Sequence, residues 1–286
     1  MNVLIQPGVR LFIDIEGAAL VPDGPRLRKK PTLLLLHGGP GFDHSSFKPL
    51  FGQHLADIAQ VITIDHRGHG RSTPRPVEEV TLDTLADDIV RLCEVLGIEK
   101  PVVLGQSFGG FVAQRYLALH PTHPARVILS STSHYFGLAR KLAMFDKLGG
   151  AASRAAAEAF WLAPGPATWD AYETHCRPHY HRIQPANDDA KRRARFNAEI
   201  LYSWSAREMP TLDLLTGLAA AQCPVLVMAG TRDPVTPVED AREIAAALPA
   251  RFSRLVEFPE AGHGAWRDDP GPAMALIREF VSGAAA

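Results

Sequence analysis

The sequence predicts an α/β fold, a mostly parallel central sheet flanked by helices with a helical cap inserted late in the chain. Three observations predict it. Short, unbroken apolar runs alternate with stretches of helical periodicity. A serine sits between small residues at a strand-to-helix pivot, Gly105-Gln106-Ser107-Phe108-Gly109. A long Ala-rich stretch then interrupts the strand–helix rhythm before it resumes.

The elements follow in order. Val9, Leu11, Ile13 and Ile15 alternate with more polar neighbours and read as an early antiparallel strand, and Gly24-Pro25 marks a turn. Thr32–Leu36 is apolar throughout, as a strand buried on both faces should be, and it runs into His37-Gly38-Gly39-Pro40-Gly41. Val61–Ile64 is a second buried strand, ending in Asp65-His66-Arg67-Gly68-His69-Gly70-Arg71-Ser72. Leu82, Leu85, Ile89, Leu92 and Leu96 recur at steps of three and four, so this stretch is an amphipathic helix. Pro101–Leu104 leads into the serine turn, and Phe111–Leu117 is helical after it. Arg126–Leu129, Pro224–Ala229 and Leu255–Phe258 are the remaining strands.

Between His134 and Leu218 the chain is helical in character. Pro164, Pro166, Pro178, Pro185 and Pro210 cut it into short pieces, and it holds Trp161, Trp169 and Trp204. The expected organisation is a core of residues 1–133 and 219–286 with a cap of residues 134–218.

Composition narrows the function. The chain has 286 residues, 46% of them hydrophobic, and a net charge of −1. Its densest basic run, Lys191-Arg192-Arg193 with Arg195, reads as a solvated helix face, so no nucleic-acid partner is expected. Cys93, Cys176 and Cys223 are too sparse for a disulfide framework and fit a reducing compartment. The N-terminus carries no signal-peptide pattern and no apolar run reaches membrane-spanning length. The expectation is a cytoplasmic protein with no membrane partner that acts on a small molecule or short peptide. The sequence leaves open whether it forms a homo-oligomer.

A serine hydroxyl needs a base to take its proton and a third group to orient that base. His263, in Pro259-Glu260-Ala261-Gly262-His263-Gly264, follows the last strand and is the candidate base. Asp233, in Gly230-Thr231-Arg232-Asp233-Pro234, follows the Pro224–Ala229 strand and is the candidate acid, in the chain order Ser, Asp, His. Asp233 could also cap the helix that begins near Pro237. Asp240 falls inside that helix, and Asp65 precedes the serine. The oxyanion donors expected are the backbone N–H groups of Phe108 and of Gly39. Ser107, Asp233 and His263 all fall at carboxyl ends of strands, where open α/β sheets place their sites. His66 and His69 read as loop-building residues. His175, Cys176, His179 and His181 read as pocket or surface residues, because Pro178 breaks their spacing and no second ligand pair accompanies them. No metal or cofactor is expected.

These motifs, in this order, resemble the α/β-hydrolase superfamily over almost the whole chain. Ser107 replaces the elbow aspartate of its epoxide hydrolases and dehalogenases. Within the superfamily, His37-Gly38-Gly39-Pro40-Gly41 resembles the proline iminopeptidases, which remove N-terminal proline from short peptides. The resemblance implies an acidic side chain for the substrate's amino group, and Glu199 in Arg195–Tyr202 stands in the similar segment. Two positions depart from the pattern: Phe108 stands where that family usually has Trp, and Pro234 where some members have Glu. Glu199, Trp204 and Trp266 are the expected substrate-binding residues. The activity expected first is proline iminopeptidase-like cleavage through an acyl-enzyme. A carboxylester or lactone hydrolase is the alternative, followed by a carbon–carbon bond hydrolase, a cofactor-free dioxygenase and a ligand receptor on the same fold.

Overall fold

The continuous apolar runs form the middle of one eight-stranded sheet in a computed structural model, which describes residues 1–183 and 189–283. The chain opens with β1 (Asn2–Gln6), β2 (Val9–Glu16), an exposed hairpin of β3 (Leu20–Asp23) and β4 (Arg26–Lys29), and β5 (Thr32–Leu36). It continues through α1 (Leu50–Leu55), β6 (Gln60–Ile64), α2 (Leu82–Leu96), β7 (Val102–Gln106), α3 (Phe108–Leu119) and β8 (Arg126–Ser130). Helices α4 (Leu138–Leu162), α5 (Pro166–His175), α6 (Asp189–Arg193), α7 (Ala198–Arg207) and α8 (Leu215–Leu218) come next. The chain closes with β9 (Val225–Gly230), α9 (Val238–Ala247), β10 (Ser253–Phe258), α10 (Ala265–Asp268) and α11 (Pro270–Ser282). The sheet order is β1-β2-β6-β5-β7-β8-β9-β10. Only β1 and β2 run against their neighbours; β6 through β10 are parallel.

Alternation along each central strand splits the core in two. Leu34, Leu36 and Val103 face a layer completed by α2, α3, α8 and α9. Leu33, Leu35, Val102 and Leu104 face Phe47, Phe51 and the α11 residues Ala273, Met274 and Ile277. Each fully buried aliphatic side chain contributes about 1.5–3 kcal/mol, so a sheet covered on both faces explains why these strands read as unbroken apolar runs.

Helices α4 to α8 occupy the stretch between β8 and β9, and α4, α5 and α7 share an aromatic cluster around Phe145, Phe160, Tyr172 and Tyr180. Proline positions mark their breaks. Pro166 opens α5, while Pro178 and Pro210 sit in single 3-10 turns. Pro185 lies outside the described residues. Helix α4 kinks at Gly150, whose φ of 69° and ψ of −167° are non-helical. No helix among the described residues is long and apolar enough to cross a membrane.

Candidate active site

Ser107 joins β7 to α3 with φ 54° and ψ −114°, a conformation that an L-residue keeps only when its surroundings hold it. They do. Ser107 N donates to Ser130 O at 2.9 Å, and Ser107 O accepts from Thr132 Oγ1 at 2.9 Å and from Gly110 N at 2.8 Å. The flanking glycines are required sterically. A Cβ at Gly105 would lie 2.2 Å from Gly109 O, and one at Gly109 would lie 2.2 Å from Leu36 O. The G-x-S-x-G pattern is thus the imprint of a helix start pressed against two strands. Phe108 N–H belongs to the opening turn of α3, where amides lack an intrahelical acceptor and carry the positive end of the helix dipole.

The two other candidate triad residues meet. His263 Nδ1 lies 2.8 Å from Asp233 Oδ2. Asp233 is fully buried. Its Oδ1 accepts from Val235 N (2.8 Å) and Thr236 N (2.9 Å), and its Oδ2 from Thr236 Oγ1 (2.7 Å). Burial alone would raise the Asp233 carboxyl, but His263 and the Thr236 donors outweigh it and hold the carboxyl below its ordinary value. A carboxylate facing Nδ1 fixes the proton there and leaves Nε2 as the acceptor. The loop carrying His263 is fixed by His263 N to Tyr180 O (2.6 Å), Gly264 N to Ser131 Oγ (2.8 Å) and Gly262 N to Asp268 Oδ2 (2.7 Å).

Ser107 and His263 line one cavity together with Gly38, Gly39 and Phe108. Its walls are aromatic: Phe42, Phe111, Phe160, Trp161, Trp169, Tyr172 and Tyr180. The charged lining is mostly cationic, from Lys141, Arg177, Lys191 and Arg267. Asp43 is the one carboxylate on the cavity wall among the described residues, and it is already bound by Ser45 N, Arg71 Nη1 and Arg195 N.

Three expected substrate-binding residues lie elsewhere. Glu199 is exposed on α7 and does not line the cavity. Trp204 is buried behind the site, its ring edge-on to Phe108 at 4.9 Å and stacked on Phe111 at 6.0 Å. Trp266 is buried on the opposite side of the sheet against Phe47 and Phe51, with Nε1 donating to Gln106 Oε1 at 3.2 Å. Glu199 was expected from the resemblance alone, and for Trp204 and Trp266 the sequence does not say which neighbours cover the ring.

The other weighed residues also have places. Asp240 is bound by Ser133 Oγ and Arg140. Asp65 is bound by His44 and by Arg71 N. His66 and His69 pack with His37 and Phe108 behind the elbow. Of the histidine-rich run, His175 is exposed, Cys176 donates to Ser153 O at 3.3 Å, and His181 lines the cavity. The one group among the described residues with metal-ligand spacing is Asp43, His44 and Asp65, whose atoms already serve the bonds above.

Sequence reasoning missed Lys141. It falls on the same face of α4 as Leu138, Leu142 and Phe145, and that spacing was the available signal.

A family model described as alpha/beta hydrolase fold matches residues 31–270. The chain belongs to the α/β-hydrolase family. Over 277 residues this α/β hydrolase is 29% identical to a Caulobacter sp. (strain K31) protein provisionally named carbamate hydrolase RutD, covering 88% of this chain and 96% of that one. A shorter stretch of 110 residues, 37% of this chain and 38% of the other, is 39% identical to a proline iminopeptidase of Lactobacillus crispatus (strain ST1). The crystal structure of a Mycobacterium smegmatis proline iminopeptidase superposes with a TM-score of 0.77 at 22% identity, covering 98% of this chain and 97% of that one. The family resemblance read from the motifs therefore holds, and the likeness in structure extends over the whole fold.

Proposed function

We propose that this α/β hydrolase is a serine carboxylester hydrolase working through an acyl-enzyme. The observation that carries the proposal is the His263–Asp233 contact of 2.8 Å beside a strained Ser107 in one aromatic cavity. In this reading His263 Nε2 takes the Ser107 hydroxyl proton as Oγ attacks the ester carbonyl. The N–H groups of Phe108 and Gly39 hold the developing oxyanion, and each such donor is worth about two to three orders of magnitude in rate. His263 returns the proton to the leaving alcohol, then activates the water that releases the acid. Residues 134–218 act as a cap that supplies most of the aromatic walls and keeps bulk water from the acyl group.

The choice of ester over aminopeptidase rests on charge. A substrate ammonium needs an uncommitted anion. Asp43 already accepts from three donors and Glu199 is outside the cavity, while Lys141 and Arg177 would repel a second cation. Removal of an N-terminal residue from a short peptide is the second reading, supported by the 39% local identity to a proline iminopeptidase. Both readings use the same acyl transfer. Purified protein should hydrolyse p-nitrophenyl butyrate and leave proline p-nitroanilide intact. Faster turnover of the anilide would overturn the ester assignment and favour the aminopeptidase.

A further inference from the structure

Lys141 is a buried amine with no ion-pair partner among the described residues. Its side chain is among the most deeply buried of its size, 1% exposed, yet it lines the cavity that holds Ser107 and His263. Its ammonium donates to Val235 O and lies 5.8 Å from the centroid of the Trp161 ring. A backbone carbonyl takes one of three N–H donors. No carboxylate among the described residues forms an ion pair with it. The nearby acids are committed, Asp240 to Ser133 and Arg140, and Asp233 to Thr236 and His263. Burial pushes the Lys141 amine below its ordinary value, and the more distant Asp240 and Asp233 only partly offset this.

Pinning α4 to the Val235 loop does not need a charge, since a neutral amide would make that bond without the desolvation cost. Arg177 adds a second cation on the same cavity. It lies over the rings of Tyr180 (4.7 Å) and Phe42 (5.8 Å) and has no ion-pair partner among the described residues.

We infer that Lys141 recognises a carboxylate on the substrate, so that the ester hydrolysed here is an anionic one with an apolar body. This rests on the hydrolase reading above and specifies its substrate class. The aromatic walls bury the body. The carboxylate supplies the charge that Lys141 lacks, in a site where a charged hydrogen bond is stronger than in water. Lys141 is thus a specificity-determining residue rather than a member of the reacting set.

The test uses two pairs of esters that differ at one carboxyl group, free and charged in one member and methylated and neutral in the other. One pair carries the charge in the acyl half, p-nitrophenyl hemiadipate against p-nitrophenyl methyl adipate. The other carries it in the alcohol half, m-acetoxybenzoate against its methyl ester. The wild-type protein should prefer the charged member of at least one pair by about tenfold or more in kcat/KM, chiefly through KM. Lys141→Gln offers a neutral N–H donor in place of the ammonium and should erase that ratio, while Lys141→Arg and Arg177→Gln should retain most of it. The inference is overturned if neither pair shows the preference, if the ratio survives in Lys141→Gln, or if Arg177→Gln alone erases it. A measurement on the wild type needs no variant to fold: phenylbutyrate should inhibit neutral-ester hydrolysis at lower concentration than phenylbutyramide, and equal inhibition overturns the inference. Turnover of p-nitrophenyl butyrate with no charge preference removes the role of Lys141 alone. Absence of all ester turnover in the wild type removes the ester reading itself.

Discussion

Ser107 is held at a φ of 54° by bonds from Thr132 and Gly110 to its carbonyl and by its own N–H to Ser130. The strain has a use: the hydroxyl is presented at the start of α3, beside an amide with no helical acceptor. Asp233 acts at one remove, through the ring of His263. Its second oxygen is saturated by Val235 N and Thr236 N, so the carboxylate cannot swing away from Nδ1. Asp233→Asn presents an amide to the same nitrogen and favours the tautomer whose Nε2 is already protonated. The expected result is a fall in kcat on p-nitrophenyl butyrate of about three to four orders of magnitude with the fold intact by circular dichroism. A folded variant within about tenfold of wild type would show that Asp233 does not orient the base.

At the scale of elements, what the sequence made legible was what burial dictates. Strands covered on both faces leave unbroken apolar runs, and β5, β6, β7, β8 and β9 were readable for that reason. The elbow was readable because Gly105 and Gly109 each face a backbone carbonyl that excludes a side chain. Gly24-Pro25 was readable as a turn, but the exposed hairpin of β3 and β4 around it was not, since its strands bury almost nothing. The tryptophans show the other limit. Trp204 and Trp266 were both expected to touch substrate. Trp204 braces Phe108 and Phe111 from behind, and Trp266 fills the far layer with Phe47 and Phe51. Periodicity identifies a buried face, while the choice of partner depends on how α7 and α10 dock. Lys141 was hidden in the same way, as a charge on an apolar face of α4 whose meaning depends on the cavity beside it.

For the whole molecule, the buried histidines behind the elbow set a pH dependence of stability. Burial, with His37 adding to it, holds His66 well below 6.5 and His69 at about 3. As pH falls below 6.5 the unfolded chain protonates these rings while the folded chain does not. Stability therefore drops by about 1.4 kcal/mol per pH unit for each such ring, until the folded value is reached. For His69 alone that is about 2 kcal/mol lost at about pH 5. The buried Asp233 carboxylate, held below its ordinary value, adds a loss of the same sign at lower pH. Thermal melts should give a lower Tm at about pH 5 than at about pH 7.5. An equal or higher Tm at the acid value would mean that these rings are protonated in the fold.

The same architecture brings a loop from each of β5, β7, β9 and β10 to the carboxyl edge of the sheet, against helices α4 to α7. At that meeting point we propose an activated serine. It is tested most directly by incubating the protein with a fluorophosphonate and locating the adduct by peptide mass spectrometry. A single modified peptide is expected, labelled at Ser107, with no adduct in Ser107→Ala and slowed labelling in His263→Ala. Equal labelling of wild type and Ser107→Ala, or an adduct on another residue, would contradict it.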